Sequence, residues 1–358
     1  MSKIGFRPLV FPKDESCHNS VIEWWYFNGH LKTELGEEFV FMYCLFKVDP
    51  QKVSLPFLKN IPLRDFYFAH SMVSNIDKKT FKSSVSLYPE LDKDSFKKKR
   101  LFIGAGKDFV FENTRGKQYC FKNPDLDLNL VSKRDPLLID GKGWIDLGIK
   151  DTYYFSLSDL EATGTIKTEK GLEHVSGKVW LDRQWSNGGY HSEDKWTWFS
   201  IQLENGIDIL CFEYGDKEKT RSATMRLQDG RQIATRNISF KPLGKIWESP
   251  ETKASYELAW LIEIPELKLK IKAAPENLSQ EIIFGSINYW EGGIDIKAEL
   301  AGKKIKGFGF LELVGVPMDR SLTEIYLKKG KVLIDNPGLL KEYFEKGKEF
   351  IFSQIFRP

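Results

Sequence analysis

Cysteine, histidine and long apolar runs are all scarce in this 358-residue chain, and each scarcity closes off a class of function. The four cysteines, Cys17, Cys44, Cys120 and Cys211, include no CxxC pair and have no histidine at zinc-ligand spacing. A reducing compartment is therefore expected, with neither a structural zinc site nor a disulfide framework. Cys44 and Cys211 stand inside aromatic strands, where a reduced cysteine behaves as a small hydrophobe. The five histidines, at 18, 30, 70, 174 and 191, are scattered, so no metal ligand set forms from sequence spacing. No apolar stretch approaches the ~18 residues of a membrane-spanning helix. The opening MSKIGFRPLVFP lacks the apolar core of a secretory signal, so a cytoplasmic location is expected for the chain as it stands, export remaining open if a leader has been trimmed away. An excess of one charge sign is also missing: 53 basic against 50 acidic residues argues against nucleic acid as a partner. The run Lys97 to Arg100 has no interleaved aromatics and reads as a solvated turn or edge. There is no nucleophile elbow, no phosphate loop, no HExxH and no dinucleotide fingerprint. The default is a site without metal or cofactor, and the oligomeric state is not legible.

What is present is a repetition. Residues 24–31 read WWYFNGHL and residues 196–203 read WTWFSIQL, ~172 positions later, each followed by a glycine turn (Gly36; Asn205-Gly206) and an apolar strand. A second pair matches Gly164–Asp182 to Gly292–Glu312, setting Gly177 over Gly307, Trp180 over Phe310 and Asp182 over Glu312. Spacing this long is no solenoid period. It implies two copies of one domain, which the size prior of roughly 150–180 residues per domain allows. The boundaries expected are 1–195 for the first copy, 196–330 for the second and 331–358 for a C-terminal helix.

Alternation with period two and β-branched or aromatic enrichment dominate, with turn signals at Leu35-Gly36, Asn75 to Lys78, Gly141 to Gly143, Asn205-Gly206, Asp229-Gly230 and Ala301-Gly302. That pattern predicts an all-β protein of antiparallel meanders. Closure into barrels removes the strand edges, and an eight-strand barrel leaves room for one small ligand. Helical periodicity is convincing only at the C-terminus, where Asn336 suits an N-cap, Pro337 the first helical position, and Leu339, Leu340, Tyr343, Phe344, Phe350, Ile351 and Ile355 form one stripe. Segments 50–66 and 92–100 read as loops or insertions.

The richest stretch is Glu23 to His30. On a strand, Glu23, Trp25, Phe27 and Gly29 face one side, while Trp24, Tyr26, Asn28 and His30 face the other. The second face suits either a pocket with aromatic walls or a barrel end plugged by Trp24 with His30 at a strand terminus. In Trp180-Leu181-Asp182-Arg183-Gln184-Trp185, Asp182 shares a face with Trp180 and opposes Arg183. An acid beside an indole in an apolar interior has a raised pKa and suits a general acid. The same aspartate would also suit a pairing with an arginine of the neighbouring strand. His70 alternates with Phe68 and Met72, as either a candidate acid or base or a satisfied core residue. Tyr153-Tyr154 and Tyr289-Trp290-Glu291-Gly292 extend the aromatic lining.

EWWYFNGHL, FAHSMVSNID, DTYYFSLSDLEATGTIK, VSGKVWLDRQWS, WTWFSIQLENG and YWEGGIDIKAEL…GFGFLELVG occur in this order from about His18 to Val316. Together they resemble the lipocalin-like family that contains carotenoid 1,2-hydratase (hydroxyneurosporene synthase) and AttH-like proteins. The resemblance implies two tandem calycin β-barrels and relatives that hydrate or cyclise isoprenoid and polyketide chains. The positions that match the family's motifs are Glu23, Trp24, Trp25, His70, Asp182, Arg183, Trp185, Trp198, Trp290 and Glu291. The Arg-Gln of LDRQW departs from the Arg-Glu frequent in AttH-like relatives, whose activities are mostly undefined.

Asp182, His70 as an imidazolium, and Glu23 are thus the candidate catalytic groups. Trp24, Trp25, Tyr26, His30, Tyr154, Trp180, Arg183, Trp185, Trp198, Trp290 and Glu291 are the candidate substrate-binding residues. Three functions follow: acid-assisted hydration or cyclisation of a hydrophobic small molecule, non-catalytic carriage of such a ligand, or a structural module whose barrels are filled by their own aromatics.

Overall fold

The computed structural model describes residues 3–53, 65–88, 91, 92, 95, 101–148, 150–188, 194–284, 287–321 and 324. The first copy supplies β1 (Ile22–Thr33), β2 (Glu38–Val48), β3 (Phe66–Asn75), β4 (Thr80–Tyr88), β5 (Phe102–Ala105), β6 (Phe109–Arg115), β7 (Gln118–Lys122), β8 (Leu126–Ser132), β9 (Leu137–Leu138), β10 (Trp144–Asp146), β11 (Asp151–Thr168) and β12 (Gly171–Ser186). The second begins with β13 (Trp196–Leu203), β14 (Asp208–Tyr214), β15 (Thr220–Arg226), β16 (Gln232–Thr235) and β17 (Ser239–Pro242). It continues through β18 (Ile246–Glu248), β19 (Ser255–Glu257), β20 (Trp260–Ile264), β21 (Leu269–Pro275), β22 (Glu281–Phe284), β23 (Ile287–Leu300) and β24 (Lys303–Val314). All-β architecture with two barrel-like sheets is what the alternation and the resemblance imply. The expected C-terminal helix, and most of segments 50–66 and 92–100, lie outside the described residues.

The first sheet runs β4-β3-β2-β1-β12-β11-β8-β7-β6-β5 and is nearly closed; β9 and β10 pair with β11 off this path. The second, a half-barrel, runs β16-β15-β14-β13-β24-β23-β21-β20-β17. Both belong to one compact unit, Met1–Trp247 with Tyr256–Val316. Glu248–Ser255 and the described residues from Pro317 make a second, small unit, in which Asp319 N–H donates to Thr252 O at 2.9 Å. Among the described residues no helix is long and apolar enough to cross a membrane.

The order of pairing repeats the sequence repeat. β1 lies between β2 and β12, as β13 lies between β14 and β24. In β1, Trp25, Phe27 and Leu31 face into the first barrel, with Phe39, Phe41, Tyr43 and Leu45 of β2. Phe27 meets Phe111 and Phe121 at ring-centre distances of 4.7 Å, and Tyr43 stacks on Phe109 at 4.8 Å. The lumen is therefore a packed core, and the main wall uses ten strands. Short strands β5 to β8 complete that wall.

The repeated glycines do the same work in both copies. Gly177 sits opposite Leu31 and Gly307 opposite Leu203. A Cβ at Gly177 would stand 2.0 Å from His30 O, and one at Gly307 would stand 2.4 Å from Gln202 O. Both obstacles are backbone and cannot swing aside. Gly177→Ala is expected to cost on the order of 3 kcal/mol by overpacking, read as a lower denaturation midpoint at unchanged slope.

Candidate functional site

Because side chains alternate, the face of β1 turned away from the barrel core carries Trp24, Tyr26, Asn28 and His30. The equivalent face of β13 carries Trp196, Trp198, Ser200 and Gln202, and the two faces meet. Tyr26 packs edge-on against Trp198 at 5.4 Å, and Ser200 Oγ donates to Asn28 Oδ1 at 3.3 Å. These are residues that the repeat sets over one another, so the copies face each other with approximate two-fold symmetry.

Two matching rungs cross this junction. On the first sheet, β11, β12, β1, β2 and β3 place Ser156, Asp182, Tyr26, Cys44 and His70 side by side. On the second, β23, β24, β13, β14 and β15 place Glu291, Glu312, Trp198, Phe212 and Ser222 in the same order. Between the rungs opens a chamber whose free space, including its mouth, is about 1380 Å³. Trp24, Phe46, Phe68, Trp196, Tyr214 and Tyr289 supply much of its apolar wall, with Tyr26, His70, Tyr154, Asp182, Trp198 and Glu312 among them. No lysine or arginine is among the described residues lining it.

Carboxyl groups without a countercharge set the electrostatics. Asp182 Oδ1 accepts from Ser156 Oγ at 2.5 Å and from Trp180 Nε1 at 2.6 Å, while Oδ2 accepts from Tyr154 Oη. Trp198 Nε1 donates to Tyr154 Oη at 2.8 Å, fixing that hydroxyl as a donor toward Asp182. Burial nevertheless dominates these bonds and pushes Asp182 up to about 7. Glu312 is likewise pushed up to about 7 by burial, opposed by the hydrogen bond from Trp196 Nε1 at 3.0 Å and reinforced by the charge of Asp182. Glu312 is enclosed by protein yet keeps accessible surface that opens on the chamber, and its Oε1 has no hydrogen bond among the described residues.

Glu291 stands directly across from Glu312 on the neighbouring strand. Burial first, then the charge of Glu312, raises its pKa well above its ordinary value of 4.5, against the hydrogen bond from Tyr26. The shift favours its neutral form, which lessens the repulsion between like charges directly opposite in a sheet. Its Oε2 has no partner among the described residues. His70 is driven down to about 3 by burial, so its ring is neutral, with Nδ1 2.6 Å from Tyr289 Oη.

Of the fourteen positions singled out from sequence, the structure brings Trp24, Tyr26, His70, Tyr154, Asp182 and Trp198 together on the chamber wall. Trp180 and Glu291 stand behind it, bonded to Asp182 and Tyr26. The others lie elsewhere. Glu23, Trp25, Arg183 and Trp185 form a charged cluster at one end of the first barrel, where Arg183 lies 3.8 Å above the Trp25 ring and pairs with Glu23. The aspartate-arginine pairing considered for Asp182 is thus made by Glu23. His30 packs on Phe308 and Phe310 with Nε2 3.1 Å from Glu276, and Trp290 is buried in the second sheet, donating to Leu278 O at 2.7 Å. Cys44 is buried facing the chamber, and Cys211 is buried in the second sheet.

Sequence reasoning did not select Glu312, Trp196, Phe212 or Tyr214 as site residues. The repeat carried the signal: it sets Glu312 over Asp182 and Trp196 over Trp24. A raised carboxyl is a cost to the fold, because it binds a proton more tightly folded than unfolded. The cost is absent below the unfolded value, where both states hold the proton; it grows as pH rises past that value and reaches its full size above about 7. Glu312→Gln is therefore expected to stabilise the protein above pH ~7 by on the order of 2 kcal/mol and to be neutral near pH ~4. Thermal melts of the two proteins at both pH values check this; equal melts at high pH would contradict it.

Residues 4–316 match the AttH-like family. The dehydratase AsqC of Emericella nidulans is 28% identical over 236 residues, covering 60% of this chain and 67% of that protein. Kievitone hydratase of Fusarium solani subsp. phaseoli is 24% identical over 205 residues, covering 54% of this chain and 57% of the relative. Among solved structures, an AttH protein from Nitrosomonas europaea superposes with a TM-score of 0.75 at 23% identity, covering 88% of this chain and 100% of that one. Kievitone hydratase from Nectria haematococca gives 0.71 at 19% identity, covering 86% and 93%. At those identities the structural likeness concerns the fold.

Proposed function

This chain belongs to the AttH-like family, and from that premise we propose that it is a hydro-lyase-type enzyme adding or removing water on a hydrophobic small molecule held in the junction chamber. The reading is supported by relatives named for adding or removing water. The observation that carries it is the pair Asp182 and Glu312, two acids brought near 7 on the wall of an apolar chamber without a countercharge. A group that titrates near the working pH is both a competent proton donor and a competent acceptor.

The substrate class proposed is an elongated isoprenoid or polyketide-like molecule. In hydration, protonated Glu312 gives its proton to an alkene carbon. The π electrons form the new C–H bond and leave a cation at the neighbouring carbon. Tyr26 and Trp198 present aromatic rings to that charge, an interaction of about 2 kcal/mol when desolvated. Water then bonds to the cation and passes its extra proton to the Asp182 carboxylate, and solvent exchange returns the pair to its starting state. Dehydration is the same path reversed. Glu312 is assigned as donor because an oxygen is free toward the chamber, whereas Asp182 is surrounded by hydrogen-bond donors and is the better held carboxylate. A pure carrier would pair every carboxyl oxygen, and Glu312 Oε1 departs from that pattern.

The test is organic extraction of the purified protein with mass spectrometry to identify the ligand class, followed by incubation with that compound in water labelled with heavy oxygen. Label in the product is the expected result. Recovery of an unchanged, unlabelled ligand would leave carriage in its place.

A further inference from the structure

On the outer face of the second sheet, like charges stand directly opposite one another. Across β17, β20, β21, β23 and β24 the register places Lys241, Leu261, Lys272, Lys297 and Lys306 side by side. Their sequence neighbours Ile262, Ile271, Ala273, Ile296 and Ala298 are buried on the core face, so the four lysines point outward, and all four are exposed. Lys272 faces Lys297, and Lys297 faces Lys306, on three adjacent strands. Such pairs destabilise a sheet. Among the described residues Lys241, Lys272 and Lys306 make no ion pair, and Lys297 meets only Asp295, at 3.9 Å with both side chains largely exposed. A pair of that kind contributes little.

The next rung shows the ordinary alternative. Glu263, Lys270, Glu299 and Lys304 alternate in sign across β20, β21, β23 and β24, and Lys270 pairs with Glu263 at 3.2 Å. With Asp295, the two rungs set six lysines against three acids, a net +3 that equals the net charge of the whole chain. The positive charge is therefore concentrated on this face.

At its β17 end the row runs into an apolar turn. Leu243 and Ile246 are 46% and 61% exposed, with the exposed Lys241 and Lys245 beside them. The turn is pinned on both sides of Gly244: Leu243 N–H donates to Ala259 O at 2.8 Å, and Leu258 N–H donates to Lys245 O at 2.9 Å. Both apolar side chains thus stand in water at a fixed place beside the lysines, and each would gain by leaving it.

We propose that this face docks the protein on an anionic lipid surface, with the lysine row over the acidic headgroups and Leu243 and Ile246 entering the interface beside it. From Lys241 to Lys306 the row covers four strand spacings, roughly 19 Å, and so meets several headgroups at once. Charge alone would suit any polyanion, and the apolar tips select a bilayer among them. The row holds no aromatic ring on which a base could stack. The inference stands apart from the chamber and its chemistry.

Co-sedimentation of the intact chain with vesicles of phosphatidylcholine, alone or with about one-third phosphatidylserine, tests this. Binding is expected to the anionic vesicles only, and to fall as salt rises. Lys272→Gln combined with Lys297→Gln should weaken it about thirtyfold. The same exchange at Lys107 and Lys217, exposed lysines of the β5-β6 and β14-β15 turns, should leave it within about twofold. Leu243→Ser combined with Ile246→Ser should weaken it about tenfold. Lys297→Glu restores alternating charge along the row, so it should raise the melting temperature while sharply weakening vesicle binding, a pair of changes that a structural role would not produce. Binding to neither vesicle, or equal binding to both, would overturn the proposal. An equal loss in the Lys107 and Lys217 variant would overturn it too, by reducing the effect to net charge. Binding that needs the lysines but not Leu243 and Ile246, and that polyglutamate reproduces, would put an acidic protein in place of the lipid.

Discussion

Glu312→Gln is expected to lower the turnover number for water addition or removal by 10²–10⁴-fold, the usual range for losing a positioned proton donor, with ligand affinity unchanged. Glutamine keeps the size of the side chain and an oxygen for Trp196 Nε1, so the chamber wall survives while the transferable proton does not. Asp182→Asn should lose a similar factor, and the double variant should fall little below the worse single one, because two arms of one proton transfer are not additive. The pH profile carries a further signature. Both acids lie near 7, so the native rate should follow a narrow bell centred there, with apparent values that belong to the pair. The charge of Asp182 helps hold Glu312 up. In Asp182→Asn the residual activity should therefore fail at lower pH than in the native protein, since Glu312 gives up its proton earlier. Single-turnover rates for the four proteins between pH ~5 and ~9 check both points. A Glu312→Gln rate within threefold of native would remove Glu312 from the chemistry.

Much of this site was legible in the sequence because the chain states its architecture twice. Alternation gave the faces of β1 correctly, and with them the separation of Trp25 from Tyr26. The location of the chamber was not legible. A barrel with aromatic inward positions reads equally well as lined or as filled, and only the packing of Phe27 against Phe111 and Phe121, residues ~85–95 positions away, settles that it is filled. Glu23 and Asp182 look alike as acids beside tryptophans, yet their fates are opposite. Glu23 points toward Arg183, His18 and Lys47, whereas Asp182 points toward hydroxyls and indoles. Period-two patterning tells which residues share a face, not which distant element covers that face. The repeat went further, since it set Glu312 over Asp182, and a chemical class kept at both positions marks a shared environment.

Arg183→Met is expected to destabilise the protein by about 3–5 kcal/mol, the cost of leaving a buried charge without its partner. Burial would raise Glu23, but the charge of Arg183, the hydrogen bond and charge of His18 and the charge of Lys47 outweigh it and bring the carboxyl down to about 2. Arg183 also donates to Ser16 O at 2.6 Å, Glu15 O at 3.1 Å and Trp24 O at 3.1 Å, so it ties the segment before β1 to the barrel end. His18 closes the cluster by stacking on Trp185 at 3.7 Å with an interplanar angle of 7°. The sign with pH separates this charge effect from simple loss of packing. In the native protein the folded value of Glu23 lies below the unfolded 4.5, so its stabilisation is full above pH ~4.5 and is lost as pH falls toward about 2. Without Arg183 burial gains on the remaining partners and the folded value rises, so the deficit relative to native should shrink as pH falls, first as the variant protonates the group and then, below pH ~4.5, as the native protein loses the stabilisation of its own ionised Glu23. Glu23→Gln in the Arg183→Met background should recover part of the loss at neutral pH, because a neutral amide needs no countercharge. Urea midpoints of native, single and double variants at pH ~4 and ~7 decide the matter. A deficit that is the same at both pH values and is not relieved by Glu23→Gln would mean that Arg183 acts through its contact with Trp25 and its backbone hydrogen bonds, and not through its charge.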